Sequence, residues 1–124
     1  MQDFHRIQVW QRAHELVKRL YLLTAKFPKE ELFGLTSQMR RAAISIPANI
    51  AEGAGRGGER ELGRFLDVAF GSASELEYYV LLAYDLRLLP KNEYDPVSAE
   101  LGDIKRMLTG FARSVRKAGP RTGH

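Results

Sequence analysis

The stretch ERELGRFLDVAFGSASELEYYVLLAYDLRLL, residues 59–89, decides the fold. Leu62, Phe65, Leu66, Ala69, Phe70, Ala73, Leu76, Val80, Ala83 and Tyr84 recur every three or four residues, which puts them on one broad face of an α-helix. Nothing here alternates with the period of two that a half-buried strand requires. The spacing predicts one long helix from about Glu59 to Leu89, closed by Pro90. Gly63, Gly71, Ala69 and Ala73 lend it small side chains that another helix, internal or from a second copy, can approach closely.

On the upstream side, Gly53-Ala54-Gly55-Arg56-Gly57-Gly58 predicts a joint, because each helical glycine costs about 1 kcal/mol relative to alanine. Before it, Leu35, Met39, Ala42, Ile46 and Ile50 form the stripe of a second helix. That helix is entered through Phe33-Gly34-Leu35-Thr36-Ser37, where Gly34 permits a turn and Thr36 or Ser37 can cap the free N–H groups. Pro47 lies inside the stripe and predicts a bend near Ser45 to Pro47. Further upstream, Val9, Ala13, Leu16, Val17, Leu20, Leu23 and Phe27 predict a first helix from about Gln8 to Lys26, stopped by Pro28.

On the downstream side, Asp95-Pro96 reads as an N-cap followed by a first-turn proline. Val97, Leu101, Ile104, Leu108, Phe111 and Val115 then alternate spacings of four and three, a narrow seam. Four amphipathic helices with short connections close most simply as an all-α, antiparallel up-and-down four-helix bundle. The bundle domain is expected over residues 1–118, with a flexible tail at 119–124.

A chain of 124 residues fits one domain with a real core. Hydrophobic residues make up 44% and charged residues 27%, and no apolar run is long enough to span a membrane. The N-terminus has no apolar signal region and cysteine is absent, so a cytoplasmic protein with no membrane partner is expected. The formal charge of +4 is concentrated at the C-terminus, where residues 107–124 hold Arg113, Arg116, Lys117 and Arg121 and no acid. Such residues either contact phosphate or simply keep a terminus solvated.

Most catalytic constellations are missing. A carboxylate-bridged metal site in a bundle needs inward Glu-x-x-His pairs, and none of His5, His14 and His124 has a glutamate three residues before it. No His pair or cysteine supports zinc, so neither a metal nor a cofactor is expected. The glycine-rich joint follows a helix rather than a strand and lacks the Gly-Lys-Ser/Thr ending of a phosphate loop. Glu52, Glu75 and Glu77 have no nucleophile placed beside them, which favours structural pairing: Arg40 or Arg41 on the second helix facing Glu75 or Glu77 on the third. Asn49 is placed to bridge helices or to serve groups freed by Pro47. Trp10 is expected to pack on neighbouring helices, and Tyr78, Tyr79 and Tyr84 either close a core or contact, or stack bases.

Arg56, Arg60 and Arg64 are spaced by four and are expected to cluster round the positive N-terminal end of the third helix. Cations are disfavoured there unless an anion binds or nearby acids such as Glu59 and Glu61 compensate. With Arg113, Arg116 and Lys117, these arginines are the candidate nucleic-acid contacts.

Trp10-Gln11-Arg12-Ala13, Phe27-Pro28, the run Gly34-Leu35-Thr36-Ser37-Gln38-Met39-Arg40-Arg41-Ala42-Ala43-Ile44-Ser45-Ile46-Pro47-Ala48-Asn49-Ile50-Ala51-Glu52-Gly53, Arg64-Phe65-Leu66 and Gly71-Ser72-Ala73-Ser74-Glu75-Leu76-Glu77 carry a family resemblance. From about residue 4 to 112 the chain closely resembles the S23-like four-helix-bundle proteins encoded in 23S rRNA intervening sequences. The resemblance implies an up-and-down bundle that assembles as a ring-like homopentamer and has no enzymatic activity. Accessory proteins of diversity-generating retroelements are similar, and those work with a reverse transcriptase and nucleic acid. Two functions follow as expectations. The first is a non-enzymatic oligomer binding RNA or DNA backbone through basic surface; the second is an adaptor docking a partner enzyme such as a reverse transcriptase.

Overall fold

The computed structural model describes residues 2–118, and the expected tail at 119–124 lies outside them. All four expected helices form: α1 (Gln8–Thr24), α2 (Ser37–Gly55), α3 (Glu59–Asp85) and α4 (Lys91–Ala118). No strand occurs among the described residues. Polar contacts fix the direction of each neighbour. Arg41 reaches Glu75 and Ser45 reaches Ser72, so α2 and α3 are antiparallel. Glu77 meets Lys105 and Asp67 meets Arg116, which sets α4 against α3 in the same way. Lys26 at the end of α1 pairs with Glu93 at the start of α4, and Arg12 reaches Glu100 and Asp103. The bundle is therefore all-α, antiparallel and up-and-down, with α1 and α4 adjacent.

The apolar stripes converge as the periodicity requires. Ala13, Leu20, Met39, Ile46, Ile50, Leu66, Leu76, Val80, Val97, Leu101 and Ile104 are fully enclosed. Phe65, Phe70, Tyr84 and Phe111 are only half-buried at the edges of this core, and Ala112 rather than Phe111 points into it. The broad face of α3 is wider than the space between two neighbours, so its largest rings are displaced to the flanks.

Helix ends and caps differ from the sequence expectation in five places. α1 ends at Thr24, whose buried hydroxyl donates to the Leu20 carbonyl at 2.7 Å. α2 is entered through a short 3₁₀ turn (Lys29–Glu31) and a kinked stretch (Leu32–Thr36) in which Gly34 leaves the helical conformation (φ −114°, ψ −111°), the turn expected there, and neither Thr36 nor Ser37 caps the helix. Instead the Glu31 carboxylate accepts from the Leu35 N–H. α2 then runs through Pro47 as one element and continues through Gly53 to Gly55, so the glycine joint shrinks to residues 56–58, with Gly57 at φ +81° making the turn. Gly53 stays helical because α3 packs directly on it: a Cβ there would stand 2.8 Å from the Phe65 Cβ and 3.3 Å from the Leu62 Cα.

α3 stops at Asp85, well before Pro90, because Arg87 adopts φ 64°. The Leu88 N–H then returns to the Ala83 carbonyl at 2.9 Å and the Arg87 N–H to the Tyr84 carbonyl at 3.0 Å, the paired bonds of a Schellman cap. α4 begins at Lys91 rather than after Asp95. The Pro90 carbonyl accepts from the Glu93 and Tyr94 N–H groups, and Asp95 pairs with Lys91 at 2.9 Å instead of capping. Packing outweighs the Asp-Pro signal here, since Leu89 is buried and Tyr94 stacks on Tyr84 at 4.5 Å.

Candidate nucleic-acid interface

The antiparallel order places the start of α3 beside the end of α4, bringing the unbalanced basic residues of the sequence to one end of the bundle. The expected Arg56, Arg60 and Arg64 cluster is nevertheless divided there. Arg56 precedes α3, and its guanidinium pairs with Glu52 at 2.9 Å and lies 5.3 Å from the centre of the Phe65 ring. Arg64 pairs with Glu61 at 3.1 Å and lies 4.4 Å from the same ring. Both are thus turned towards the α2–α3 side, each with a carboxylate. Glu61, expected to offset the arginines, does so: hydrogen bonding from Arg64 is the main cause that holds its carboxyl below the usual range.

Arg60 is exposed and forms no ion pair among the described residues. It sits one turn before Gly63, whose carbonyl accepts from Arg116 at 3.3 Å; Arg116 also pairs with Asp67. Arg113, one turn before Arg116 on α4, is exposed and likewise has no acidic partner among the described residues. Arg113 and Arg116 line a cleft of about 580 Å³ between α3 and α4, with Leu66, Asp67, Phe70, Leu108, Thr109 and Ala112. Lys117, exposed on the last turn, belongs to the same end. Arg60 on α3 and Arg113 and Arg116 on α4 are thus brought to one end of the bundle, where Arg56 and Arg64 are turned to the α2–α3 side, each held by a carboxylate.

The expected structural contacts are partly realised. Arg41 donates to Glu75 at 2.8 Å and to Gln38, and the Tyr79 hydroxyl donates to Glu75 at 2.7 Å. Arg40 does not face α3. It turns to α1, donating to the buried Thr24 hydroxyl at 2.8 Å with its guanidinium 4.5 Å from the Tyr21 ring centre. Glu77 pairs with Lys105 on α4, not with an arginine of α2. Asn49 donates to the carbonyl and hydroxyl of Ser45, and that hydroxyl meets Ser72 at 2.7 Å. Its link to α3 therefore runs through Ser45, and the Ala43 carbonyl that Pro47 deprives of a donor is not its target.

Two features escaped the sequence reading. Arg12, outside the apolar stripe of α1, donates to both Glu100 oxygens at 3.0 and 2.6 Å and to Asp103 at 3.0 Å, tying α1 to α4; these bonds raise its pKa. A separation of 88 residues hides that contact from local spacing. The second is an apolar patch at the opposite end, where Phe33 is 93% exposed beside Leu32, Tyr21 and Ile44, all of which line one groove. Tyr79 and Tyr84 are committed to Glu75 and Tyr94, leaving Tyr78 the exposed member of the three. Trp10 packs at the core edge, stacked on His14 at 5.0 Å and met edge-on by Phe4.

Glu75 gives the clearest pH dependence. The Tyr79 hydroxyl first, and then Arg41, hold its carboxyl below the ordinary value of 4.5. A folded-state pKa below the unfolded one contributes stability that is present above the unfolded value and lost as pH falls through the folded value. Glu75→Gln is therefore expected to lower the melting temperature at neutral pH, with the gap to the parent closing as pH drops below 4.5. Melting curves by circular dichroism from pH 7 downward check this, and a gap that stays constant in acid would show that the carboxylate contributes nothing through its charge.

Among the described residues no group of His, Asp and Glu side chains gathers closely enough to hold a metal ion, and no helix is long and apolar enough to cross a membrane. A family model described as 23S rRNA-intervening sequence protein matches residues 5–110. A solved structure of a protein of unknown function from the S23 ribosomal protein family of Bacteroides thetaiotaomicron is similar at 22% identity. That likeness covers 85% of this chain and 95% of the other with a TM-score of 0.77, a likeness of fold. No curated protein matches the chain.

Proposed function

The chain belongs to the 23S rRNA-intervening sequence protein family, and from that premise we propose that it is a non-enzymatic, oligomeric cytoplasmic protein that binds the backbone of RNA or DNA. The observation that carries this reading is the pair of exposed arginines, Arg60 and Arg113, which form no ion pair among the described residues and lie at the same end of the bundle as Arg116. An arginine already held by a carboxylate gains less from a phosphate, because the first bond must be released. Arg60 and Arg113 carry no such cost. Arg56 and Arg64 remain secondary contacts, and Lys117 extends the face toward the chain end.

Assembly multiplies the effect. Several copies of a weak basic face raise avidity without altering any single contact, provided that one nucleic acid reaches more than one of them. Phe33, Leu32, Tyr21 and Ile44 supply the apolar surface for contact between copies, in the homopentamer that the family resemblance implies. The same patch supports the second reading, an adaptor that docks a partner enzyme such as a reverse transcriptase and leaves nucleic acid to that partner.

Fluorescence anisotropy of labelled structured RNA and duplex DNA across a salt series tests the proposal. Affinity is expected to fall steeply with salt, and Arg60→Ala/Arg113→Ala is expected to reduce the slope of log K against log salt by about 2, roughly one for each phosphate contact removed. Arg56→Ala/Arg64→Ala is expected to change it less. Absence of binding to either probe at the lowest salt overturns the nucleic-acid reading in favour of the adaptor.

A further inference from the structure

The cleft between α3 and α4 has two chemically different parts. Its floor closes on Leu66, Leu108 and Ala112, which are buried, so the apolar surface offered to a ligand is that of the half-buried Phe70, with the Lys105 ammonium 5.1 Å from the centre of its ring. Its rim is polar and carries Arg113, Arg116, Asp67 and the exposed Thr109. Two guanidinium groups, those of Arg113 and Arg116, thus stand with one carboxylate at the mouth, while Arg60 lies about two turns before Asp67 on α3 and does not line the cleft. Asp67 is itself exposed and, among the described residues, pairs with Arg116. A ligand suited to this arrangement has an anionic part for the rim and a flat, weakly polar part for the floor.

A duplex supplies only the first of these, because its bases are stacked and paired away from the protein. Its phosphates reach Arg113 but leave the Phe70 ring unused. A single strand supplies both, since an unpaired base can leave the strand and lie on apolar or aromatic surface while the adjoining phosphates meet cations. The volume of about 580 Å³ falls within the usual range for small-ligand sites. We propose that the α3–α4 cleft is a single-strand site: one unpaired base of an RNA or DNA strand rests against Phe70, and an adjoining phosphate binds Arg113. This rests on the nucleic-acid reading and adds to it a preference for unpaired segments.

The test compares a labelled oligouridylate with a labelled duplex RNA of equal length, by anisotropy at fixed salt. Arg113→Glu is set beside Arg19→Glu, which makes the same charge change at an exposed arginine of α1 that has no acidic partner among the described residues. Arg113→Glu is expected to weaken oligouridylate binding about tenfold or more, and Arg19→Glu by about twofold or less, as charge at a distance is screened. Phe70→Leu, which keeps the side chain apolar, is expected to cost the oligouridylate about fivefold, in line with the loss of one aromatic–base contact, while leaving the duplex unchanged. Thermal melting of each variant establishes that it is folded, and Arg113→Ala replaces Arg113→Glu if the latter is not. Equal losses from Arg113→Glu and Arg19→Glu on both probes would overturn the cleft site while leaving general basic binding intact. No binding of the parent protein to either probe would overturn both.

Discussion

Gly53→Val is expected to destabilise the bundle by about 3 kcal/mol, and Gly53→Ala by about 1–2 kcal/mol, whereas Gly71→Ala should stabilise it by about 0.5–1 kcal/mol. All three changes place a better helix former, or a comparable one, in a helix, so propensity alone predicts a gain throughout. The surroundings reverse the sign at Gly53. The first carbon added there meets the Phe65 Cβ at 2.8 Å and the Leu62 Cα at 3.3 Å, atoms fixed to the α3 backbone that no rotamer change can withdraw. α2 and α3 must move apart, and overpacking of a close-packed core costs about 1–3 kcal/mol or more. Around Gly71 a Cβ meets nothing within 4 Å, so only the backbone entropy term acts. For a domain of this size each kcal/mol moves the melting temperature by roughly 3–5 °C. Gly53→Val should therefore melt roughly 10 °C or more below the parent, and a Gly53→Ala protein that melted above it would contradict the close α2–α3 contact.

The same contact explains why the sequence misplaces the end of α2. Glycine propensity argues for a joint from Gly53 onward, and it is right only from Arg56, because what holds Gly53 in the helix is a neighbour on another element. Local signals failed in the same manner at Pro90 and Asp95-Pro96, where a left-handed Arg87 and the burial of Leu89 and Tyr94 set the boundaries. The apolar stripes were legible throughout, since a period near 3.6 survives any tertiary arrangement, and four such stripes leave few closures. The basic site was legible only by composition. A spacing of four implied one cluster of Arg56, Arg60 and Arg64, but Arg56 lies before the first residue of α3, and Phe65 with Glu52 and Glu61 draws Arg56 and Arg64 to the α2 side. Arg60 reaches the same end of the bundle as Arg113 and Arg116 only through the antiparallel pairing of α3 with α4. Spacing along one helix cannot contain that information.

Ile46→Ala and Leu66→Ala are each expected to cost about 2–5 kcal/mol, with Ile46→Ala the more damaging of the two. Both side chains are fully enclosed, so the transfer terms are similar and the difference lies in the cavity left behind. At Ile46, on α2, the lost methyl groups leave a void surrounded by core, which the packed helices close only in part. Leu66 lies directly beneath the α3–α4 cleft, so the void left there is expected to open into the cleft and join solvent-accessible space instead of remaining a sealed hole. Leu66→Ala is accordingly expected in the lower half of the range and Ile46→Ala in the upper half, a difference of about 1 kcal/mol or more that urea unfolding curves resolve. The functional consequences run the other way. At low temperature, where both variants are folded, Ile46→Ala should bind oligouridylate as the parent does, while Leu66→Ala, having deepened the floor beneath the proposed base, should bind it more weakly. Stability and binding would then separate at two equally buried residues, as they must if the cleft is a site rather than a gap between helices. An Ile46→Ala protein that kept its stability but lost binding would reverse both assignments.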